Sequence, residues 1–374
     1  MTFSMTRLAG IVLCMALAGC NTPRGAGFQN EVLAASVDAD GQEVAPDFAV
    51  FSVTRDTLPI IADWPATGAR GYNWINRREQ PASLIIAPGD TVSITVWDAE
   101  ENSLITGPGQ RVAQLQDMQV SSSGSVFLPF VGELRIAGMS ADGARARVEE
   151  RYLESVPSAQ VQLAVRPGRA NTANLVAGVA SPGVYPLPDR DFTILGLLSQ
   201  GGGVRAGMVN PQVRLMRGGE IYGTSVARLY AEPGLDTTLV GGDRVIVEEE
   251  ARYFLSLGAA GSEALHRFPK DTVSALDALS IIGGVSDDRA DPKGILILRE
   301  YPASALSGQG RRPPQTRIVF TIDLTSADGL FSAGNFRIMP RDLVYATESP
   351  VTATRTIIGL LGASLGLAER VLAQ

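Results

Sequence analysis

A chain of 374 residues is long enough for two or three domains that each bury a core. Its net charge of −7 and pI of about 5.0 exclude the basic surface that phosphate contacts to nucleic acid require. One His and two Cys exclude a Cys/His zinc site and a disulfide framework, while 40 Gly, 22 Pro and only 6% aromatic residues imply many short strands and turns.

Arg7 is a short basic start, and Leu8 to Ala18 is an apolar run too short to span a bilayer. Leu17-Ala18-Gly19-Cys20 follows. Small residues before a cysteine resemble the lipobox of bacterial lipoproteins. That resemblance implies a signal peptide over 1–19, diacylglycerol on the Cys20 sulfur, and removal of Cys14 with the leader. A mature chain with no other thiol fits an oxidising periplasm. Asn21, where an Asp marks inner-membrane retention, favours the outer membrane. The competing reading is an ordinary signal peptide with a chance cysteine.

Residues 20–80 are expected to form a lipidated tether followed by an aromatic segment. Phe48, Val50 and Val53 suit one strand. Trp64, Tyr72 and Trp74 could stack on sugar rings, but packing against the next domain is the simpler reading.

Residues 81–168 form one module. Pro88-Gly89-Asp90 is a turn signal, because Pro fixes φ, Gly allows φ > 0 and Asp bonds its own backbone. Val92, Ile94 and Val96 then alternate with polar residues as a strand with one buried face. A loop is expected over 98–117, and then strand, Ser/Gly turn and strand over 120–132. Ser140 is a helix N-cap, Asp142 suits the dipole, and Ala144, Val148 and Tyr152 fall on one face. Val161 to Val165 is a closing strand. The Asp turn returns as Gly242-Asp243 and as Pro340-Arg341-Asp342, each time closing a module.

The module 81–168 resembles the polysaccharide biosynthesis/export domain of the outer-membrane polysaccharide export protein family, of the Wza type. The matching residues are Pro88-Gly89-Asp90 with Trp97, Gly124 with Leu128-Pro129, Val131-Gly132-Glu133, Ala137 to Ser140, and Val161 to Val165. Ser123 stands where the family often has Asp before the hairpin Gly.

From residue 171 the chain repeats itself. Leu195, Leu198, Ser199 and Gly202-Gly203-Val204 match Leu276, Leu279, Ser280 and Gly283-Gly284-Val285, each pair 81 residues apart. Each copy is a helix ended by glycine, preceded by a strand pair and followed by strands. The expected strands after the helices are Val213 to Met216 and Tyr222 to Leu229, then Ile295 to Arg299 and Ile318 to Leu324. The copies, 171–250 and 252–349, resemble the soluble-ligand-binding β-grasp domains that follow the export domain in this family. Arg311-Arg312-Pro313-Pro314 lies in extra length of the second copy and is expected to be a solvated loop.

No catalytic residue, cofactor site or metal site is expected. His266, the only histidine, lies in a strand pattern, and no Lys-Ser/Thr follows the glycines to make a phosphate loop.

The segment 350–374 is expected to be a transmembrane helix. At 1.5 Å per residue it measures about 36 Å, against a hydrocarbon core of about 30 Å. On a helical wheel Ile357, Ile358, Leu360, Leu361, Leu365, Leu367, Val371 and Leu372 form a membrane-facing half. Arg355, Gly359, Gly362, Gly366, Glu369, Arg370 and Ala373 form the half that would line a lumen or touch neighbouring helices. The alternative is a terminal helix folded onto the last module or lying in the interface plane.

The fold class is thus α+β, with an export domain, two β-grasp-like repeats and a C-terminal amphipathic helix of an oligomeric α-barrel. The resemblance implies a passive outer-membrane channel subunit for capsular polysaccharide or exopolysaccharide. It further implies an octamer-like homo-oligomeric ring and an inner-membrane co-polymerase, often linked to a tyrosine kinase, as partner. The alternatives are a periplasmic carbohydrate-binding lipoprotein without a pore and an enzyme that trims the polymer.

Overall fold

The structure is a computed structural model that describes residues 25–34, 36, 37, 43, 44, 46–68, 71–81, 83–99, 105, 106, 109–306 and 312–351. The signal peptide, Cys20 and all helix-face residues from Arg355 to Ala373 lie outside them. The described residues fall into two compact units. One is 71–250; the other joins the residues up to 70 with those from 251. Both mix sheets with few helices, an α+β architecture.

The second-named unit begins with a short helix α1 (Gln29–Val32) and two paired strands, β1 (Ser36–Val37) and β2 (Glu43–Val44). Strand β3 (Phe48–Ser52) follows, and then helix α2 (Leu58–Ala62). The strand expected around Phe48 and Val50 exists, and its partner is residues 317–321, in parallel register.

The unit 71–250 contains the export module. Strand β4 (Thr91–Trp97) buries Val92, Ile94 and Val96, as its alternation requires. It lies between β5 (Val112–Gln119) and β8 (Gln160–Arg166), antiparallel to both. The expected loop over 98–117 therefore runs into a strand. Its polar sequence, Gln114 to Gln119, belongs to an exposed edge that has little apolar pattern to read. Strands β6 (Ser125–Leu128) and β7 (Gly132–Arg135) form a separate hairpin. Helix α3 (Ala141–Leu153) is capped by Ser140 Oγ, which accepts from Gly143 N at 3.1 Å. Ala144, Val148 and Tyr152 join Val92, Ile94, Val96 and the hairpin's Val126 and Leu128 in one core.

The first repeat follows. Its strands are β9 (Thr172–Ala177), β10 (Gly183–Pro186), β11 (Gln212–Arg217), β12 (Glu220–Ser225) and β13 (Arg244–Glu248), in the order β10-β9-β13-β11-β12. Only β9 and β13 are parallel. Helix α4 (Ile194–Gln200) buries Ile194, Leu197 and Leu198 against Leu175, Val213, Leu215 and Val245. The strand expected over 222–229 stops at Ser225. That hydroxyl accepts from Arg228 N at 3.2 Å and starts helix α5 (Val226–Ala231).

The second repeat completes the other unit. Strands β14 (Tyr253–Gly258), β15 (Ala264–Arg267), β16 (Ala290–Glu300), β17 (Arg317–Ile322) and β18 (Leu343–Glu348) take the order β15-β14-β18-β16-β17, with β3 added outside β17. The parallel pair is again the first strand with the last, β14 with β18. Helix α6 (Ala275–Ile281) occupies the place of α4, with a capping box between Ser274 and Asp277. A further helix, α7 (Ala327–Asn335), was not expected; Ser326 caps it. Gly202, Gly203, Gly283 and Gly284 have φ between +77° and +82°, so both helices end in the same left-handed turn. The extra length is the β16–β17 connection, which replaces the two-residue turn Gly218-Gly219 of the first repeat. Tyr301, Ala305 and Pro313 in it are buried, so it is not wholly the solvated loop expected of it.

The aromatic segment is structural. Trp64 packs edge-on against Phe51 and Tyr301, at 5.0 and 5.9 Å, inside the second-repeat core. Trp74 donates Nε1–H to Leu235 O at 2.7 Å and packs on the first-repeat core. The Tyr72 ring lies under the Arg214 guanidinium at 4.1 Å. Trp64 and Trp74 are thus committed to packing, while Tyr72 stays half-exposed beside Arg214.

Candidate functional site

The three aspartate turns share one geometry. Asp90, Asp243 and Asp342 each donate backbone N–H to the carbonyl three residues earlier, at 3.1 Å in every case. In return each carboxylate Oδ2 accepts from that residue's N–H: Ala87 at 2.8 Å, Val240 at 2.9 Å and Met339 at 2.7 Å. The residue before the Asp has positive φ: +88° at Gly89, +87° at Gly242 and +71° at Arg341. These are the marks of a type II turn. All three aspartates are buried.

Their second lone pairs do different work. Asp90 accepts from Gly168 N at 2.7 Å and Asn171 Nδ2 at 2.7 Å, so it ties the two ends of the export module together. Asp243 is held by Arg217, Nε at 2.9 Å and Nη2 at 2.5 Å. Asp342 is held by Arg299, Nε at 2.9 Å and Nη2 at 2.7 Å. Each arginine also donates Nη2–H to a carbonyl before the turn, Thr238 or Arg337, at 2.8 Å. These Arg–Asp pairs link the third strand of each repeat to its fifth. Burial by itself lowers the Arg299 value, but the charge and hydrogen bonds of Asp342 outweigh it and hold the guanidinium above its ordinary value. Burial pushes the Asp342 carboxyl up, against the pull of Arg299. The sequence reading took the aspartates as turn formers and missed the arginines. The signal was present, since Val213 to Arg217 and Ile295 to Arg299 both end in Arg.

His266 is structural in this geometry. Its Nε2 lies 2.8 Å from Ser256 Oγ, and its ring stacks on Phe254 at 5.2 Å. Ser256 is fully buried in β14, and its hydroxyl proton goes to Ser262 O. The hydroxyl therefore accepts from Nε2–H, the reverse of what a nucleophile needs from its base. Among the described residues no group of three or more His, Cys, Asp or Glu is placed to hold a metal ion. No described helix is long and apolar enough to cross a membrane.

The unit 71–250 also contains a cleft of about 660 Å³, open to solvent. Asn76, Arg78, Gln80, Asp189, Arg190 and Tyr222 stand on its lining, with Leu187 and Leu239 as apolar wall. Arg77 pairs with Asp191 at 2.7 Å and so pins the segment carrying Arg78 against the loop carrying Arg190. Sequence reasoning did not find this cleft, because its parts come from stretches more than a hundred residues apart.

Comparison with known proteins places this module. Residues 78–166 match the family described as polysaccharide biosynthesis/export protein. The capsule polysaccharide export protein BexD of Haemophilus influenzae is 24% identical over 94% of this chain and 93% of its own length. The Vi polysaccharide export protein VexA/TviF of Salmonella typhi is 24% identical over 90% of this chain and 91% of its own. The EPS I polysaccharide export outer membrane protein EpsA of Ralstonia solanacearum is 28% identical over 74% of each chain. The matched segment contains the Asp90 turn and closes on β8, and beyond it the similarity to capsule and exopolysaccharide export proteins extends over most of the chain.

Proposed function

We propose that this protein is an outer-membrane subunit of a channel that exports capsular polysaccharide or exopolysaccharide. The observation that carries the reading is that the similarity to export proteins runs through nearly the whole chain and nearly the whole of those relatives. Conduction is passive and the chain has no catalytic role; the Ser256 hydroxyl, buried and already committed to Ser262 O and His266, supports this. The two repeats, with their shared strand order and central parallel pair, are β-grasp scaffolds. A homo-oligomeric ring, octamer-like, surrounds the path of the polymer, and an inner-membrane co-polymerase supplies chain and energy.

Two termini complete this reading. Cys20 carries lipid and anchors the periplasmic body. Labelled palmitate should mark the wild type and not Cys20→Ser; a labelled variant would remove the anchor from the proposal. The segment 350–374 spans the outer membrane, its apolar half to lipid and Arg355, Glu369 and Arg370 toward water. A cysteine placed at Gln374 should react with an impermeant maleimide in intact cells. Protection there, with reaction only after the outer membrane is opened, would favour a binding lipoprotein without a pore. The overall test is deletion of the gene. Surface polysaccharide should vanish, the polymer should be retained inside the cell, and the full chain should restore export.

A further inference from the structure

We infer that the cleft of the 71–250 unit is a binding site for acidic saccharide, recognising a carboxylate-bearing sugar unit through Arg78 and Arg190. The inference rests on the export reading for the polymer, and on the cleft for its chemistry.

The charges come first. Three guanidinium groups and one carboxylate line the cleft: Arg78, Arg190, Arg217 and Asp189. Arg217 is already matched by Asp243, and the Asp189 carboxylate caps Asp191 N at 2.8 Å. The neighbouring Asp191 carboxylate, off the lining, is taken by Arg77. Arg78 and Arg190 have no carboxylate partner among the described residues. Both are exposed, yet they share one concavity, in a chain whose net charge is −7. Two like charges held in one cleft repel until an anion joins them, and a planar guanidinium meets a carboxylate in a two-bond fork.

The rest of the lining fits a sugar rather than a bare anion. The side-chain amides of Asn76 and Gln80 form no hydrogen bond with the described residues, and Tyr222 stands on the same lining. The apolar wall suits the C–H faces of a pyranose. A volume of about 660 Å³ lies within the range of roughly 300–1,000 Å³ that holds small organic ligands.

The experiment uses full-length protein in detergent, titrated calorimetrically with tetragalacturonate and, separately, with neutral maltotetraose. Tetragalacturonate should bind, at least roughly tenfold tighter than maltotetraose, and the preference should weaken as salt is raised. The Arg78→Gln/Arg190→Gln variant should lose roughly tenfold or more in tetragalacturonate affinity while its melting temperature holds. If that variant fails to fold, Arg78→Lys and Arg190→Lys singly should keep part of the affinity, because charge remains without the fork. Equal binding of the neutral oligomer, or unchanged binding of tetragalacturonate to the arginine variants, overturns the inference. So does no binding to the wild type. If the wild type restores surface polysaccharide to a deletion strain but binds no tetragalacturonate, the cleft assignment falls and the export reading stands. If it restores none, the export reading falls whatever the calorimetry gives.

Discussion

Replacing Arg299 by Met tests the energetic reading of the second repeat most sharply. The Arg299 and Asp342 side chains are 3% and 1% exposed, against 24% and 1% for Arg217 and Asp243 in the first repeat. The Arg299 guanidinium also lies over the touching rings of Phe320 and Phe336, at 5.0 and 5.1 Å from their centroids, and donates Nη1–H to Tyr301 OH at 3.3 Å. Met fills most of the volume but leaves the Asp342 carboxylate with only the Met339 N–H. An uncompensated buried charge of this kind costs about 3–5 kcal/mol. Arg217→Met leaves a carboxylate that water reaches more easily and removes no cation–π contact among the described residues, so about 1–3 kcal/mol is expected. Adding Asp342→Asn to Arg299→Met should recover part of the loss, because Asn still accepts the turn bond but carries no charge. The assay is urea unfolding followed by Trp64 fluorescence in a Trp74→Phe/Trp97→Phe background, since Trp64 lies against Tyr301 and Phe320 in this core. A cost below about 1 kcal/mol for Arg299→Met, or no recovery on adding Asn, would refute the argument that the pair is a charge-matched staple.

Gly202→Val and Gly283→Val should each destabilise by more than the ~1 kcal/mol of an ordinary glycine-to-alanine change, because φ of +77° and +82° is poorly tolerated by a β-branched residue; unchanged melting in both would contradict this. Tyr152 is fully buried, its hydroxyl has no partner among the described residues, and burial pushes its pKa up to about 12. Tyr152→Phe should therefore be neutral or stabilising by up to about 1 kcal/mol, and a loss of more than that in a thermal melt would reveal a bond to this hydroxyl. The hydrogen bond from Lys270, followed by that from Ser274 N–H, holds the Asp277 carboxyl below the usual carboxylate range. A lowered folded value means that the contribution is present above the unfolded value of about 4 and is lost as pH falls through the folded one. Asp277→Asn should flatten the stability–pH curve below about pH 4, and a curve superimposable on the wild type would show that the pair contributes nothing.

The fold was legible where a local rule has one outcome. Val92, Ile94 and Val96 could alternate only as a strand with one buried face, and Ser140 could start a helix through its hydroxyl. The duplication was legible because a helix that ends in paired glycines is a rare pattern, and it occurs twice. The failures have a common cause in distance. Strand β5 is polar because it is an edge, so no apolar alternation marks it. Strand β3 gains its meaning from a partner at 317–321, which no window of sequence around Phe48 contains. The Arg–Asp pairs and the cleft likewise join side chains that are remote in sequence. Ser225 was misread because Tyr222 to Leu229 is β-branched and apolar enough for a strand, and only the capping hydroxyl marks where the helix begins.

The three aspartate turns finally offer an internal control on backbone strain. Two carry glycine at the left-handed position, Gly89 and Gly242, and the third carries Arg341 at φ +71°. A side chain in that region costs about 1–2 kcal/mol, whereas glycine adds about 0.5–1 kcal/mol of backbone entropy to the unfolded chain. Arg341→Gly should thus lie between neutral and about 1.5 kcal/mol stabilising. Gly242→Arg is the mirror change. A Cβ there meets nothing within 4 Å, so the cost is conformational alone and should lie between neutral and about 1.5 kcal/mol destabilising. The Asp243 and Asp342 hydrogen bonds are untouched in both variants, because the turn bonds come from residues on either side. Thermal and urea melts of the two variants measure the pair of effects. If the exchange of Arg341 for glycine destabilised by more than about 1 kcal/mol, its guanidinium would be contributing to the fold, and the turn would not be the independent unit that its threefold recurrence implies.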